Sequence, residues 1–188
     1  MILLLGGPMR VGKSIIAARV AARSPVQVIS TDDLRSALAA DAPELGGRTD
    51  MDPTARYALM EPLLDRLLTL RMARGEPALI EGDAFSPAWA ARFRDRAPDR
   101  VRVCFAGELS IARGTKLRHL REHTAVHGGW LADEPPETYR WAVGRIFAIS
   151  REDKAACDRL GIPFFDMGVE FETSVERVAR FLSDGWPS

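Results

Sequence analysis

Short unbroken apolar runs alternate along this chain with longer stretches whose apolar residues recur every three to four positions. These are the signatures of buried strands and of helices with one covered face. Ile2–Leu5 is the first run, and beyond a glycine-bearing turn Ser14–Arg23 reads as an Ala/Ile/Val-rich helix. Val26–Ser30 reads as the second strand, and Thr31 or Asp32 caps a helix reaching about Ala40. Asp41–Met51, with its proline, glycines and polar residues, reads as a loop. Asp52-Pro53 sets a capping residue before a proline at the first helical position. Leu59, Met60, Leu63, Leu64, Leu67 and Leu68 then follow at helical spacing. Pro62 predicts a kink or the true start of that helix, and Gly75 its end.

Pro77–Glu81 reads as the third strand, with Gly82-Asp83 at its carboxyl end, and Pro87–Arg96 as a short helix. Val101–Ala106 is the fourth strand, Glu108–Glu122 a basic helix, and His123–Pro136 a mobile Gly/Pro-rich loop. Glu137–Leu160 reads as a long helix interrupted or weakened at Gly144, and Ile162–Asp166 as the fifth strand. Thr173–Glu176 has the form of a capping box opening a last helix, whose apolar face is Val175, Val178, Ala179 and Leu182. No repeat or linker breaks the series. The alternation predicts an α/β fold: one domain over residues 1–188, a parallel sheet with helices on both faces.

The turn after the first strand carries the chemistry. Gly7-Pro8-Met9-Arg10-Val11-Gly12-Lys13-Ser14 fits G-x-x-x-x-G-K-[ST], the phosphate-binding P-loop, in the strand–loop–helix setting that motif needs. Gly7 and Gly12 let successive backbone N–H groups turn inward, while the positive end of the next helix points at the same spot. Gly7, Arg10, Val11, Gly12, Lys13 and Ser14 are thus the expected nucleotide cradle. Lys13 reaches the β- and γ-phosphates and the Ser14 hydroxyl binds Mg²⁺. Lysine occurs only at Lys13, Lys116 and Lys154, so a scarce residue stands where the motif demands it.

In an open parallel sheet ligands bind at the carboxyl ends of the strands, so the residues after each strand are the next candidates. Asp32 and Arg35 follow the second. Asp32 either caps its helix or orients or deprotonates an acceptor hydroxyl, with Arg35 holding an anionic part. Glu81 ends the third strand and either pairs with an arginine or holds Mg²⁺ through water, with Asp83 as substitute and a further acceptor-side residue. Arg113, Arg118 and Arg121 follow the fourth strand. They form either an exposed helix face or a lid closing on phosphates, the lid spanning about residues 113–136.

Composition narrows the picture in a few places. The chain has 188 residues, 46% hydrophobic and 28% charged, enough for one α/β domain with a sizeable core. Its 26 Lys+Arg balance 26 Asp+Glu, so no global field steers it to nucleic acid or a membrane surface. The run Arg92, Arg94, Arg96, Arg100 and Arg102 is broken by Asp95 and Asp99 and reads as a solvated face. Cys104 and Cys157 provide no disulfide framework or metal spacing, and read as buried thiols. His119, His123 and His127 fall four apart: a possible metal row on one helix, or lid residues. No apolar stretch reaches membrane-spanning length, and the first apolar run lacks a basic leader, so a cytoplasmic monomer or homodimer is expected.

These residues resemble the P-loop kinases of nucleotides and small metabolites, among them adenylate kinase, gluconate kinase, zeta toxin and 2-phosphoglycerate kinase. The nearest local likeness is to 2-phosphoglycerate kinase. Ser30-Thr31-Asp32-Asp33-Leu34-Arg35 is similar to its S-T-D-x-[IL]-R, and Ile80-Glu81-Gly82, with Pro87 beyond, to its I-E-G and proline. The resemblance covers residues 1 to about 90 in register and the later arginines more loosely. It implies a five-stranded sheet in the order 2-3-1-4-5, ATP as donor, Asp32 and Arg35 at the acceptor, and Arg113 to Arg121 in the lid. The D-G-x-P-R of adenylate kinases is absent, as is a cysteine quartet for zinc in the lid. The expected activity is transfer of the γ-phosphate to a hydroxyl or phosphate of a small anionic metabolite or nucleotide. The other readings are an ATP-driven regulator with no acceptor, and a zeta-type toxin kinase. A regulatory GTPase would need an N-K-x-D guanine motif, which this chain lacks.

Overall fold

The computed structural model describes residues 1–41 and 52–185, so the expected loop from Asp41 to Met51 lies, beyond Asp41, outside the described residues. The elements are β1 (Ile2–Gly6), α1 (Lys13–Ala21), β2 (Gln27–Ser30), α2 (Thr31–Asp41), α3 (Pro53–Arg74), β3 (Ala78–Gly82), α4 (Pro87–Asp95), β4 (Val101–Gly107), α5 (Arg113–His127), α6 (Pro136–Leu160), β5 (Phe164–Asp166) and α7 (Phe171–Ser183). All strand pairs are parallel and the order is β2-β3-β1-β4-β5. Expectation and structure agree on fold class and strand order.

The sheet is buried on both faces because its central strands are apolar at nearly every position, Glu81 and Arg102 apart, each successive side chain turning to the opposite side. Ile2, Leu4, Ile80, Val103 and Phe105 face α3, α4 and the end of α6, meeting Leu64, Leu68, Trp89 and Phe93. Leu3, Leu5, Leu79, Cys104 and Ala106 face α1 and α7, meeting Ile16, Val20, Val175, Val178 and Leu182. A third, smaller core of Leu120, Leu131, Tyr139, Val143 and Phe147 joins α5 to α6. The register sets Leu5 of β1 and Ser30 of β2 beside Glu81 of β3, so these three strands end level.

Several element ends differ from the sequence reading, each for a visible reason. α2 starts at Thr31, and it is the Ser30 hydroxyl that accepts from the Asp33 amide, at 3.4 Å, so neither Thr31 nor Asp32 is the cap. α3 starts at Pro53, where the Asp52 carboxylate accepts from the Thr54 and Ala55 amides, and it runs on through Pro62. The basic helix starts at Arg113 and not at Glu108, because the Leu109 and Ser110 amides are held by the Asp166 carboxylate. It continues through all three histidines to Gly128, whose φ of 65° ends it, so the expected loop at His123 begins only there. α6 passes Gly144 without a break. α7 opens at Phe171, so Thr173 and Glu176 make no capping box: Glu176 instead binds Arg23 and Arg180.

The arginine run is also more than a solvated face. Arg94 donates to the Leu160 and Gly161 carbonyls, Arg100 to Met72, and Arg102 to Phe181 and Leu182. Three of its members therefore satisfy carbonyls at the carboxyl ends of α6, α3 and α7, where no intrahelical donor exists.

Candidate active site

The loop between β1 and α1 has the backbone the glycines were expected to allow. Gly7 has φ 133°, and a Cβ there would overlap the Ala106 carbonyl oxygen of β4. Arg10 adopts φ 60°, a left-handed conformation uncommon outside glycine. Lys13 is buried, and its ammonium donates to the Pro8 carbonyl at 2.6 Å, inside the curve of the loop. Ser14 follows on the first turn of α1, and its hydroxyl donates to the Glu81 carboxylate at 3.2 Å.

That contact tests the expected magnesium pair. A hydroxyl and a carboxylate in contact beside a phosphate loop are the donor set Mg²⁺ takes from a protein when phosphates and water complete its shell. Glu81 is 6% exposed. Burial raises its carboxyl above the ordinary value, with Asp32 adding to the rise and Lys13 and the Ser14 hydroxyl opposing it. A cation would relieve that strain, so the residues fit the ion. No group of three or more His, Cys, Asp or Glu side chains poised for a metal occurs among the described residues. His119, His123 and His127 do share α5, and the His123 and His127 rings lie 4.6 Å apart.

Beyond β2 and β3 the charges come in pairs. Asp32 accepts from Arg35 at 3.1 Å on α2. Asp83, one residue past β3, is ion-paired with Arg56 of α3, both side chains buried. Gly82 has φ 148° and a Cβ there would overlap the Thr31 side chain, so glycine lets the end of β3 lie against the start of α2. Burial raises the Asp32 carboxyl, Asp83 raises it further, and Lys13, Arg35 and Arg56 hold it back. Burial would raise Asp83 as well, but Arg56, Lys13 and Arg35 outweigh it and leave that carboxyl below its usual value. Asp32 thus keeps the greater affinity for a proton. That is the direction a group receiving one from a hydroxyl requires.

A tight crevice, too narrow to admit a water molecule, runs here from Gly7 of the loop to Arg56, Tyr57, Asp83, Phe85 and Asp153. Sequence reasoning singled out only Gly7 and Asp83 of these. Arg56 and Tyr57 have no local signal. Asp153 had one, because it interrupts the buried stripe Ile146, Ile149, Cys157 of α6, and a charge on an apolar stripe calls for an explanation.

The lid candidates lie elsewhere. Arg113 sits over the Phe147 ring and Arg121 over the Tyr139 ring, while Arg118 is exposed beside Glu122. The cation of α5 that reaches the phosphate loop is Lys116. Its ammonium donates to the Arg10 carbonyl at 2.7 Å and pairs with buried Glu108. His123 stands 3.5 Å from the Arg10 guanidinium.

Residues 2–128 match the family model described as an AAA domain, about two thirds of the chain, and the chain belongs to that family of P-loop proteins. Solved structures share the fold. A shikimate kinase from Bacteroides thetaiotaomicron is similar at TM-score 0.60 and 17% identity, over 97% of this chain and 98% of that one. A gluconokinase from Sinorhizobium meliloti is similar at TM-score 0.58 and 15% identity, over 96% and 90%. A tunicamycin resistance protein from Deinococcus radiodurans is similar at TM-score 0.51 and 18% identity, over 99% and 96%. At such identities the likeness is one of fold. No curated protein sequence matches this one. Among the described residues, no helix is long and apolar enough to cross a membrane.

Proposed function

We propose that this chain is a cytoplasmic, ATP-dependent phosphotransferase acting on a small acceptor, a metabolite or nucleotide, with all 188 residues acting as one domain. One observation carries the reading. Beside the phosphate loop the Ser14 hydroxyl contacts Glu81, and the Asp32–Arg35 and Arg56–Asp83 pairs stand just past the neighbouring strands, a set of acceptor-side charges that a nucleotide switch without an acceptor does not need. Kinase neighbours of the same fold support it.

Mg·ATP supplies the phosphoryl group and neutralises its charge; the new O–P bond forms at the acceptor oxygen as the bond to ADP breaks. The backbone N–H groups from Gly7 to Ser14 cradle the phosphates, and Lys13 leaves the Pro8 carbonyl for the β- and γ-phosphates. Ser14 and Glu81 hold the metal. Asp32 orients the acceptor hydroxyl or takes its proton, and Arg35 and Asp83 flank the acceptor, Arg35 on the side of any anionic part. Residues 113–136, with Arg113, Arg118 and Arg121, close over the phosphates as a lid, the arginines leaving their present rings.

A screen of sugars, phosphoglycerates, amino compounds, nucleosides and nucleoside monophosphates for ATP-dependent phosphorylation, read by mass spectrometry, tests this reading. Phosphorylation of one class is expected, lost in Lys13→Ala. A hydrolysis rate indifferent to all of them would point to a switch and overturn the proposal. Glu81→Gln is expected to move the Mg²⁺ dependence of turnover; an unchanged dependence removes Glu81 from the metal site.

A further inference from the structure

The backbone of Arg10 is held in a conformation it does not choose for itself. Its φ of 60° lies in the left-handed region, and among the described residues only Glu170 shares that state without being glycine. A side chain there crowds the following carbonyl, a cost that glycine escapes. Such a residue persists only where its surroundings impose the conformation. Arg10 lies in the middle of the phosphate loop, and a left-handed residue between right-handed ones is what turns successive amides toward one anion.

A restraint comes from a distant part of the chain. Lys116 Nζ donates to the Arg10 carbonyl at 2.7 Å, 106 residues away. The same ammonium is ion-paired with Glu108, and both side chains are buried. Glu108 is fixed to the fold in turn, its amide donating to the Ser150 hydroxyl of α6 at 2.9 Å. A hydrogen bond from a buried charged donor is stronger than one between neutral groups in water. The remaining contacts of Arg10 fall on its guanidinium, which stands 3.5 Å from His123 Nδ1 and against Gly129, where a Cβ would overlap it. They hold the far end of a long side chain and fix no backbone angle.

In a trans peptide the carbonyl and the next N–H point in opposite directions, so whatever fixes the Arg10 carbonyl also fixes the Val11 amide. We propose that Lys116 is a positioning residue for nucleotide: by holding the Arg10 carbonyl it keeps residue 10 left-handed, and so keeps the Val11 amide turned toward the phosphates before they arrive. This rests on nucleotide binding by the phosphate loop, as the phosphotransferase reading requires, and is independent of the acceptor. Without the restraint the free protein divides between this loop and relaxed ones. Apparent affinity then falls in proportion to the fraction still competent, while turnover at saturation is spared.

The test replaces the buried pair as a unit, Lys116→Met with Glu108→Gln, so that no carboxyl is stranded. Calorimetric titration of the full chain with Mg·ADP should show a Kd higher by about five- to thirtyfold, the cost of a left-handed residue other than glycine. The KM for Mg·ATP should rise alike, and kcat, read as ADP release at saturating Mg·ATP, should stay within about twofold. Thermal melts check that the variant is folded. If it is not, Lys116→Gln takes its place, whose shorter amide can serve Glu108 and not also the Arg10 carbonyl.

Two changes at residue 10 separate conformation from charge. Arg10→Ala and Arg10→Gly both remove the guanidinium, but only glycine adopts φ near 60° without strain. The change at Lys116 should weaken Mg·ADP binding in the Arg10→Ala protein as it does in the wild type, and by less than about twofold in the Arg10→Gly protein. Equal losses in all three backgrounds overturn the proposal, since Lys116 would then act by its charge. An unchanged Kd on replacing Lys116 in the wild type overturns it and leaves the nucleotide site standing. A fall in kcat at saturation also overturns it, because Lys116 would then touch the transferred phosphate. A wild-type chain that binds neither Mg·ADP nor Mg·ATP overturns the proposal and the phosphotransferase reading together.

Discussion

The two halves of the sheet use the same kinds of residue at their strand ends for opposite purposes. Around the ends of β1, β2 and β3, charged side chains face one another: Lys13, Asp32, Glu81, and Asp83 with Arg56. At the ends of β4 and β5 they are spent on backbone. The Asp166 carboxylate accepts from the Leu109, Ser110 and Gly168 amides. Lys116 joins Glu108 to the Arg10 carbonyl. A charged group surrounded by backbone donors or acceptors has no capacity left for a ligand. One facing other side chains across a gap does. The buried Glu108–Lys116 pair holds the phosphate loop against α5, while the buried Arg56–Asp83 pair ties α3 to the end of β3, on the side proposed for the acceptor. Burial of an ion pair is therefore no guide to its role, and what lies on its far side is.

The largest effect is expected on the first half. Asp32→Asn should lower kcat by about 10²–10⁴ with ATP affinity and thermal stability nearly unchanged, measured by turnover, calorimetry and thermal melts. If it costs stability and spares turnover, the first half is scaffold too and the contrast is lost.

Next in size is the second half. Lys116→Met strands a buried carboxyl and should cost about 3–5 kcal/mol of stability in urea unfolding. Adding Glu108→Gln should restore much of it. A Lys116→Met protein as stable as the wild type would show that the pair is not what fixes α5 to the loop.

Asp153 gives a pH signature of opposite sign to that of Asp166. Its folded value, about 7, stands above the ordinary 3.8, so its burial costs nothing below about pH 4. The cost grows between about pH 4 and 7 and is constant above, reaching at most about 4 kcal/mol. Asp153→Asn should therefore be the more stable protein at pH 8, with the difference vanishing near pH 4. A difference independent of pH would deny Asp153 its charge.

The smallest effect belongs to Asp166. Burial opposes it, but the Ser110 hydroxyl and the Leu109, Gly168 and Ser110 amides hold its carboxyl below the usual value. Its contribution is present above the unfolded value near 4 and is lost as pH falls through the lower folded one. Asp166→Asn should cost about 1 kcal/mol at pH 7, partial exposure keeping it small, and less in acid. A loss that grows in acid would reverse the assignment.

What the sequence by itself determined was whatever is encoded locally. The P-loop was legible because its glycines, Lys13 and Ser14 act through the backbone they themselves shape. The strands of the central sheet were legible because continuous apolar runs have only one stable place, between two layers of helices. Asp32 and Glu81 were legible as strand-end acids, since the ends of parallel strands are where such a sheet opens. What only the tertiary structure decided was partnership. Nothing near Arg56 in the chain announces Asp83, 27 residues away, and nothing near Lys116 announces the Arg10 carbonyl, 106 residues away. The start of α5 was misplaced for the same reason, because the amides that would have continued the helix backwards are taken by Asp166 from another strand. A side chain's reach is a few ångströms, and the fold alone determines which distant residues come within it.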